Sequence, residues 1–120
     1  MISIDGDMST NDMAIVMANG AAGNAMITAE NEDYETFKAT LKAICQGLAK
    51  RIASDGEGAT KFLTVHVTGT KSFADAKTIG MSVAKSPLVK TAFFGEDPNW
   101  GRVICAVGYA GVPRIPRRQL

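Results

Sequence analysis

An α+β architecture, with sheet and helices stacked as a layered sandwich, is predicted by three features of this sequence. Apolar side chains recur at helical period from Tyr34 to Ile52, they alternate with polar ones from Thr60 to Thr68, and Ser72-Phe73-Ala74-Asp75 reads as a capping box opening a further helix. Strands first, then an amphipathic helix, another strand and more helices, put the helices on one face of a sheet.

The elements follow in chain order. Ile2 to Ile4 is apolar with no preceding turn, as a strand entered partway along would be. After the polar loop Asp5 to Asp12, the apolar run Met13 to Ala18 is short enough for a buried strand, and Asn19-Gly20 ends it. From Asn31 the stripe Tyr34, Phe37, Leu41, Ile44, Leu48 and Ile52 marks a helix, with Lys38, Lys42 and Lys50 mainly opposite. Glu32, Asp33 and Glu35 at its start and Lys50 and Arg51 at its end suit the helix dipole, and Asp55-Gly56 supplies the stop.

In the next segment Leu63, Val65 and Val67 face one way and Phe62, Thr64, His66 and Thr68 the other, as in a strand. Phe73, Ala76, Ile79 and Val83 continue a second helix until Ser86-Pro87 interrupts it. Asp97-Pro98 signals the start of a third helix, whose small face would be Gly101, Cys105 and Gly108; a strand over Val103 to Val107 competes with it.

With 46% hydrophobic and 21% charged residues, the 120-residue chain fits one ordered unit able to bury a core, and residues 1–112 read as that unit. Of its 13 basic side chains, Arg114, Arg117 and Arg118 sit in the last few positions, and without them the body is slightly acidic. No basic stripe and few aromatics argue against nucleic acid. No apolar run approaches a bilayer span, so a cytoplasmic chain without a membrane partner is expected. Cys45 and Cys105 lack metal-ligand spacing and read as buried free thiols.

Five segments could carry chemistry. The loop Asp5, Asp7, Ser9, Thr10, Asn11, Asp12 offers several oxygens, but not at the spacing of a calcium loop; a structural turn or the wall of a polar site fits better than a metal. In Asp55-Gly56-Glu57-Gly58-Ala59-Thr60-Lys61 the flanking glycines could aim Glu57 into a cleft, or Glu57 could be an exposed residue after a helix stop. Around Asp97-Pro98-Asn99-Trp100, a helix start could receive an anion or simply be a cap beside a packed Trp100. His66 has no nucleophile near it in sequence, and Gly20-Ala21-Ala22-Gly23-Asn24 lacks the lysine of a phosphate loop.

Three of these segments, in this order, resemble the ornithine acetyltransferases, the bifunctional glutamate N-acetyltransferase/amino-acid acetyltransferase family of arginine biosynthesis. They are Gly-Asp-Met-Ser-Thr-Asn-Asp at 6–12, Asp-Gly-Glu-Gly-Ala-Thr-Lys at 55–61, and the long motif from Ser86 to Arg102. The resemblance covers about Met1 to Val112 and implies an internal segment of the family's second, or beta, chain, hence an incomplete sandwich of the self-cleaving type.

It further implies acetyl transfer from N2-acetylornithine to L-glutamate through a threonine acyl-enzyme, with acetyl-CoA as a conceivable second donor, no metal and no cofactor. The threonine belongs to a motif like Pro-Asn-Met-Ala-Thr-Met-Leu, which does not occur here, so the resemblance assigns no catalytic residue to these positions. It does assign Glu57 to substrate binding, where a carboxylate suits the ammonium of ornithine. The implied partners are the alpha chain of the same precursor and a second alpha–beta pair, in a heterotetramer. Residues 113–120, Pro-Arg-Ile-Pro-Arg-Arg-Gln-Leu, depart from the family and read as a frameshifted or truncated basic tail outside the fold. A non-catalytic remnant or docking module, and a related self-cleaving amidohydrolase, are the alternative readings.

Overall fold

The computed structural model describes residues 1–113, and the chain divides into two units: residues 7–52, and residues 1–6 together with the chain from Ala53 onward. The basic tail from Arg114 lies outside the described residues. Four helices form among the described residues: α1 (Glu32–Ser54), α2 (Phe73–Lys85), α3 (Pro87–Phe94) and α4 (Trp100–Gly108).

In the unit of residues 7–52, α1 begins where its sequence places it. The Asn31 side chain accepts a hydrogen bond from the Tyr34 amide at 3.0 Å, satisfying one of the orphan donors of the first turn. Glu35 and Lys38 pair at 3.0 Å on the same face, and the Lys38 ammonium lies over the Tyr34 ring. The expected apolar stripe is present but uncovered: no residue of α1 is buried, and Phe37, Ile44, Leu48 and Ile52 are all more than half exposed. Upstream, the loop from Ser9 to Asp12 closes on itself, with the Ser9 amide donating to Asp12 and the Asn11 amide donating to the Ser9 hydroxyl. That is the structural turn, built from short side chains that mimic backbone acceptors.

In the other unit, Ser72 caps α2 by accepting from the Asp75 amide at 3.1 Å, as the capping signature predicts. Ser86 then joins two helices. Its amide donates to the Val83 carbonyl, closing α2, while its hydroxyl accepts from the Val89 amide, opening α3 with Pro87 in the first turn. Pro87 therefore starts a helix rather than merely interrupting one, because a proline at the first helical position gives up no bond. α4 packs back on this corner. Val83, Val89 and Ala106 are buried together with Val103 against them, and the Ser82 hydroxyl donates to the Ala106 carbonyl at 2.7 Å. Fully buried Ala106 permits the close approach.

Several expectations are corrected. α4 prevails over the competing strand, but its cap is Asn99 rather than Asp97, and its packing residue is Ala106, with Gly101, Cys105 and Gly108 turned outward. Trp100 is 75% exposed instead of packed. Both cysteines are free thiols, as expected, yet exposed.

The largest difference concerns the sheet: the helical part of the predicted α+β sandwich is present, but no β-strand forms among the described residues. Ile2–Ile4, Met13–Ala18 and Thr60–Thr68 carry strand-like patterns, but a strand is a paired object and these segments have no ladder partner. Residues 60–68 run instead past α2, where Val67 lies 3.5 Å from the position a side chain on Gly80 would take.

So much uncovered apolar surface sets an expectation for the isolated chain. It should bind the dye ANS and lose its helical circular dichroism over a broad temperature range. A sharp transition without dye binding would contradict this.

Candidate functional site

The end of α1 passes into a tight turn at Gly56-Glu57-Gly58-Ala59, closed by the Ala59 amide donating to the Gly56 carbonyl at 2.9 Å. Gly58 has φ +67°, the left-handed value that this turn position demands and that a side chain would resist. Gly58 rather than Gly56 thus supplies the conformational freedom. Glu57 stands at the tip of the turn, exposed and without a hydrogen-bond partner among the described residues.

The turn borders an open cleft of about 940 Å³, the upper end of the range for small-molecule sites, roughly 300–1,000 Å³. All of its lining comes from one unit, so the cleft is an internal feature of that unit. Its walls are mainly apolar, including Phe62, Leu63, Val65, Val83, Val89 and Phe93, with Glu57, Lys61, His66, Lys90 and Asp5 as the ionisable members. Glu57 and Asp5 are brought to this cleft from two of the segments singled out in the sequence, whereas Asp7 to Asp12 belong to the other unit. His66 also lines it, a placement its sequence neighbourhood did not signal. No group of three or more His, Cys, Asp or Glu among the described residues is arranged to hold a metal ion.

Two tethers were not legible beforehand. The Lys90 ammonium donates to the Ile4 carbonyl, tying the N-terminal segment to α3. Lys61 pairs with Glu96 at 2.9 Å, across 35 positions of sequence. Glu96 sits after α3 in a Schellman closure: the Asp97 amide donates to the Ala92 carbonyl and the Glu96 amide to that of Phe93. The left-handed position of this closure usually takes glycine, and a glycine stands next door at Gly95 with an ordinary φ of −81°. Glu96 nevertheless holds φ +57°, a conformation costing a non-glycine residue on the order of 1–2 kcal/mol. Arg102 braces the same corner, its guanidinium donating to the Leu88 carbonyl at 2.9 Å and to the Thr91 hydroxyl at 3.2 Å.

The cleft therefore has one helical wall and one wall from residues 56–66, with Glu57 at its rim. The ArgJ family model matches residues 1–119, and the chain belongs to that family. It is 56% identical over 117 residues to the arginine biosynthesis bifunctional protein ArgJ of Geobacter sulfurreducens, covering 98% of this chain and 30% of that protein. The mitochondrial ArgJ of Ajellomyces capsulatus strain G186AR is 56% identical over 110 residues, covering 91% of this chain and 23% of that protein. Among solved structures, the ArgJ protein of Bacillus halodurans matches with a TM-score of 0.84 and 50% identity, over 92% of this chain and 52% of that chain. The chain thus spans less than a third of the length of these two curated relatives. No helix among its described residues is long and apolar enough to cross a membrane.

The hydrogen bond from Lys61, reinforced by its charge, holds the Glu96 carboxyl below the usual glutamate range. A carboxylate whose pKa is lowered on folding adds stability above its unfolded-state value, and loses it as pH falls through the lower folded value. Carboxyl-carbon NMR should therefore show Glu96 titrating below an ordinary glutamate, and Lys61→Met should return it to the ordinary value. An unchanged midpoint in Lys61→Met would contradict the pairing.

Proposed function

We propose that this chain forms a substrate-facing wall of an enzyme that moves an acetyl group from N2-acetylornithine to L-glutamate in arginine biosynthesis. Family membership supports the pathway, and the single observation that carries the site is Glu57, an unpaired carboxylate raised at the rim of the cleft by a glycine-dependent turn. Ornithine carries an ammonium group, and a carboxylate beside apolar walls binds it by charge-assisted hydrogen bonds while the methylene chain lies on the wall. Orientation is the catalytic contribution of such a contact, because it presents the acetyl carbonyl to the nucleophile.

The nucleophile in this reading is a threonine outside these 120 residues. Its hydroxyl adds to the acetyl carbonyl, the amide bond to ornithine breaks, and the leaving amine takes the proton; the glutamate amine then attacks the ester and releases the threonine. No cofactor is called for. The remaining parts of the proposal are the alpha chain and a second alpha–beta pair as partners, acetyl-CoA as an alternative donor, and a cytoplasmic setting, although some relatives carry mitochondrial names.

The exposed stripe of α1 favours a second reading, a non-catalytic module that docks on other chains to cover Phe37, Ile44 and Leu48. One experiment separates the two. These residues are exchanged for the matching segment of the full-length Geobacter sulfurreducens relative, and acetylglutamate formation is followed. The enzyme reading expects an active chimaera in which Glu57→Ala raises KM for acetylornithine roughly 10- to 100-fold, as for loss of a hydrogen bond to a charged group. The isolated chain should make no acetylglutamate. A correctly folded but inactive chimaera favours the docking module, and an unchanged KM in Glu57→Ala removes Glu57 from the site.

A further inference from the structure

We infer that Lys61 and Glu96 are a pair of positioning residues, an ion-paired strut that holds the Glu57 turn at the cleft rim by anchoring it to the closure of α3. The inference rests on the reading of Glu57 as a substrate contact and assigns the residues that set its position.

The first support is mechanical. The segment after the turn, residues 60–68, makes no backbone hydrogen bonds to other segments among the described residues, so no ladder fixes it. Among the described residues its one polar tie to another segment is the 2.9 Å contact from Lys61, four positions beyond Glu57, to Glu96. Hydrogen bonds on the other side of that contact are plentiful. Gly95, Glu96 and Asp97 all donate into the last turn of α3, and α3 is seated by buried Val89 and Ala92. The Glu57 turn, closed only within itself, is thereby fastened to the closure of α3.

The second support is the backbone at Glu96. A helix closure alone would be better served by glycine at this left-handed position, and Glu96 occupies it with an ordinary φ at the neighbouring Gly95. Strain of this kind, kept where a cheaper residue exists, points to work done by the side chain. Among the described residues the side chain has one partner, Lys61. Exposed ion pairs contribute little to stability, and Glu96 is 79% exposed, which leaves geometry as the benefit.

The two supports lead to a test that a purely structural role would not pass. In the Geobacter chimaera carrying this segment, Glu96→Gly, Lys61→Met and Lys61→Arg are compared with Glu57→Ala. Hydrogen exchange by mass spectrometry reads the Gly56–Ala59 turn, and steady-state kinetics read KM against kcat for acetylornithine. The expected result is that Glu96→Gly unfolds no earlier than the parent, since glycine relieves the strain, while exchange in the turn becomes several-fold faster. KM should rise about three- to tenfold with kcat changed less, Lys61→Met should match it, and Lys61→Arg should recover most of the loss. Added to Glu57→Ala, neither change should raise KM further.

Unchanged exchange in both Glu96→Gly and Lys61→Met would overturn the strut. So would faster exchange with an unchanged KM while Glu57→Ala raises it. If Glu57→Ala itself leaves KM unchanged, the substrate-contact reading fails, and exchange alone decides whether the strut exists.

Discussion

The unit that carries the cleft is built on one close contact, the seating of α4 on the corner between α2 and α3. The corner turns within a single residue, Ser86, whose amide ends one helix and whose hydroxyl begins the next. Such an abrupt turn sets two short helices at a fixed angle, and the notch is filled by Ala106, which has no side chain beyond Cβ to hold α4 away. The Ser82 hydroxyl then spends its proton on the carbonyl of that same alanine. With α4 so placed, Arg102 reaches the Leu88 carbonyl and the Thr91 hydroxyl, and the connection between α3 and α4 is held from both ends. Glu96 stands in that connection.

Beyond this corner very little is dry. The buried apolar residues among those described are Val83, Val89, Ala92 and Ala106, all small, while Phe37, Phe94, Trp100 and other large side chains remain in water. Large residues normally dominate burial, so a core made only of small ones is a seam between elements and not the interior of a complete layer. The cleft has the same cause: one wall is helical, the facing wall is the unpaired segment 60–68, and the space between is lined by apolar side chains that find no opposing layer. The chain spans 30% of the length of its Geobacter sulfurreducens relative.

What was legible in the sequence divides along the range of the forces involved. The start of α1 was legible in its apolar stripe and acidic first turn, and the cap of α2 at Ser72 because a capping side chain and its backbone donor lie within three positions of each other. The turn carrying Glu57 was legible in the two glycines that flank it, of which Gly58 holds the left-handed φ. α3 was missed because Pro87 was read as a breaker, although Ser-Pro followed by apolar residues is also a cap and first turn. The strands failed differently: the alternation from Leu63 to His66 records a preference for pairing, and pairing needs a second segment that local pattern cannot supply. Glu96 was beyond reach altogether. Its partner is 35 positions away, and Gly95 beside it is where local rules would have put the left-handed residue.

That last misdirection bears on how the turn at Glu57 is held. A glycine at the closure of α3 would satisfy every local requirement, so the residue found there answers to a requirement from elsewhere. Gly58 answers the opposite way, giving up a side chain so that the turn can form and lift Glu57. The two left-handed positions are therefore complementary: at Gly58 the backbone is made easy so that a neighbouring carboxylate can project, and at Glu96 it is made costly so that its own carboxylate can hold on. Joined through Lys61, they relate the cleft rim to the α2–α3–α4 corner by side chains alone, in a stretch where no sheet hydrogen bonds do so. An ion pair in this place joins the turn to the helices through two side chains and leaves the backbone hydrogen bonds of the α3 closure as they are.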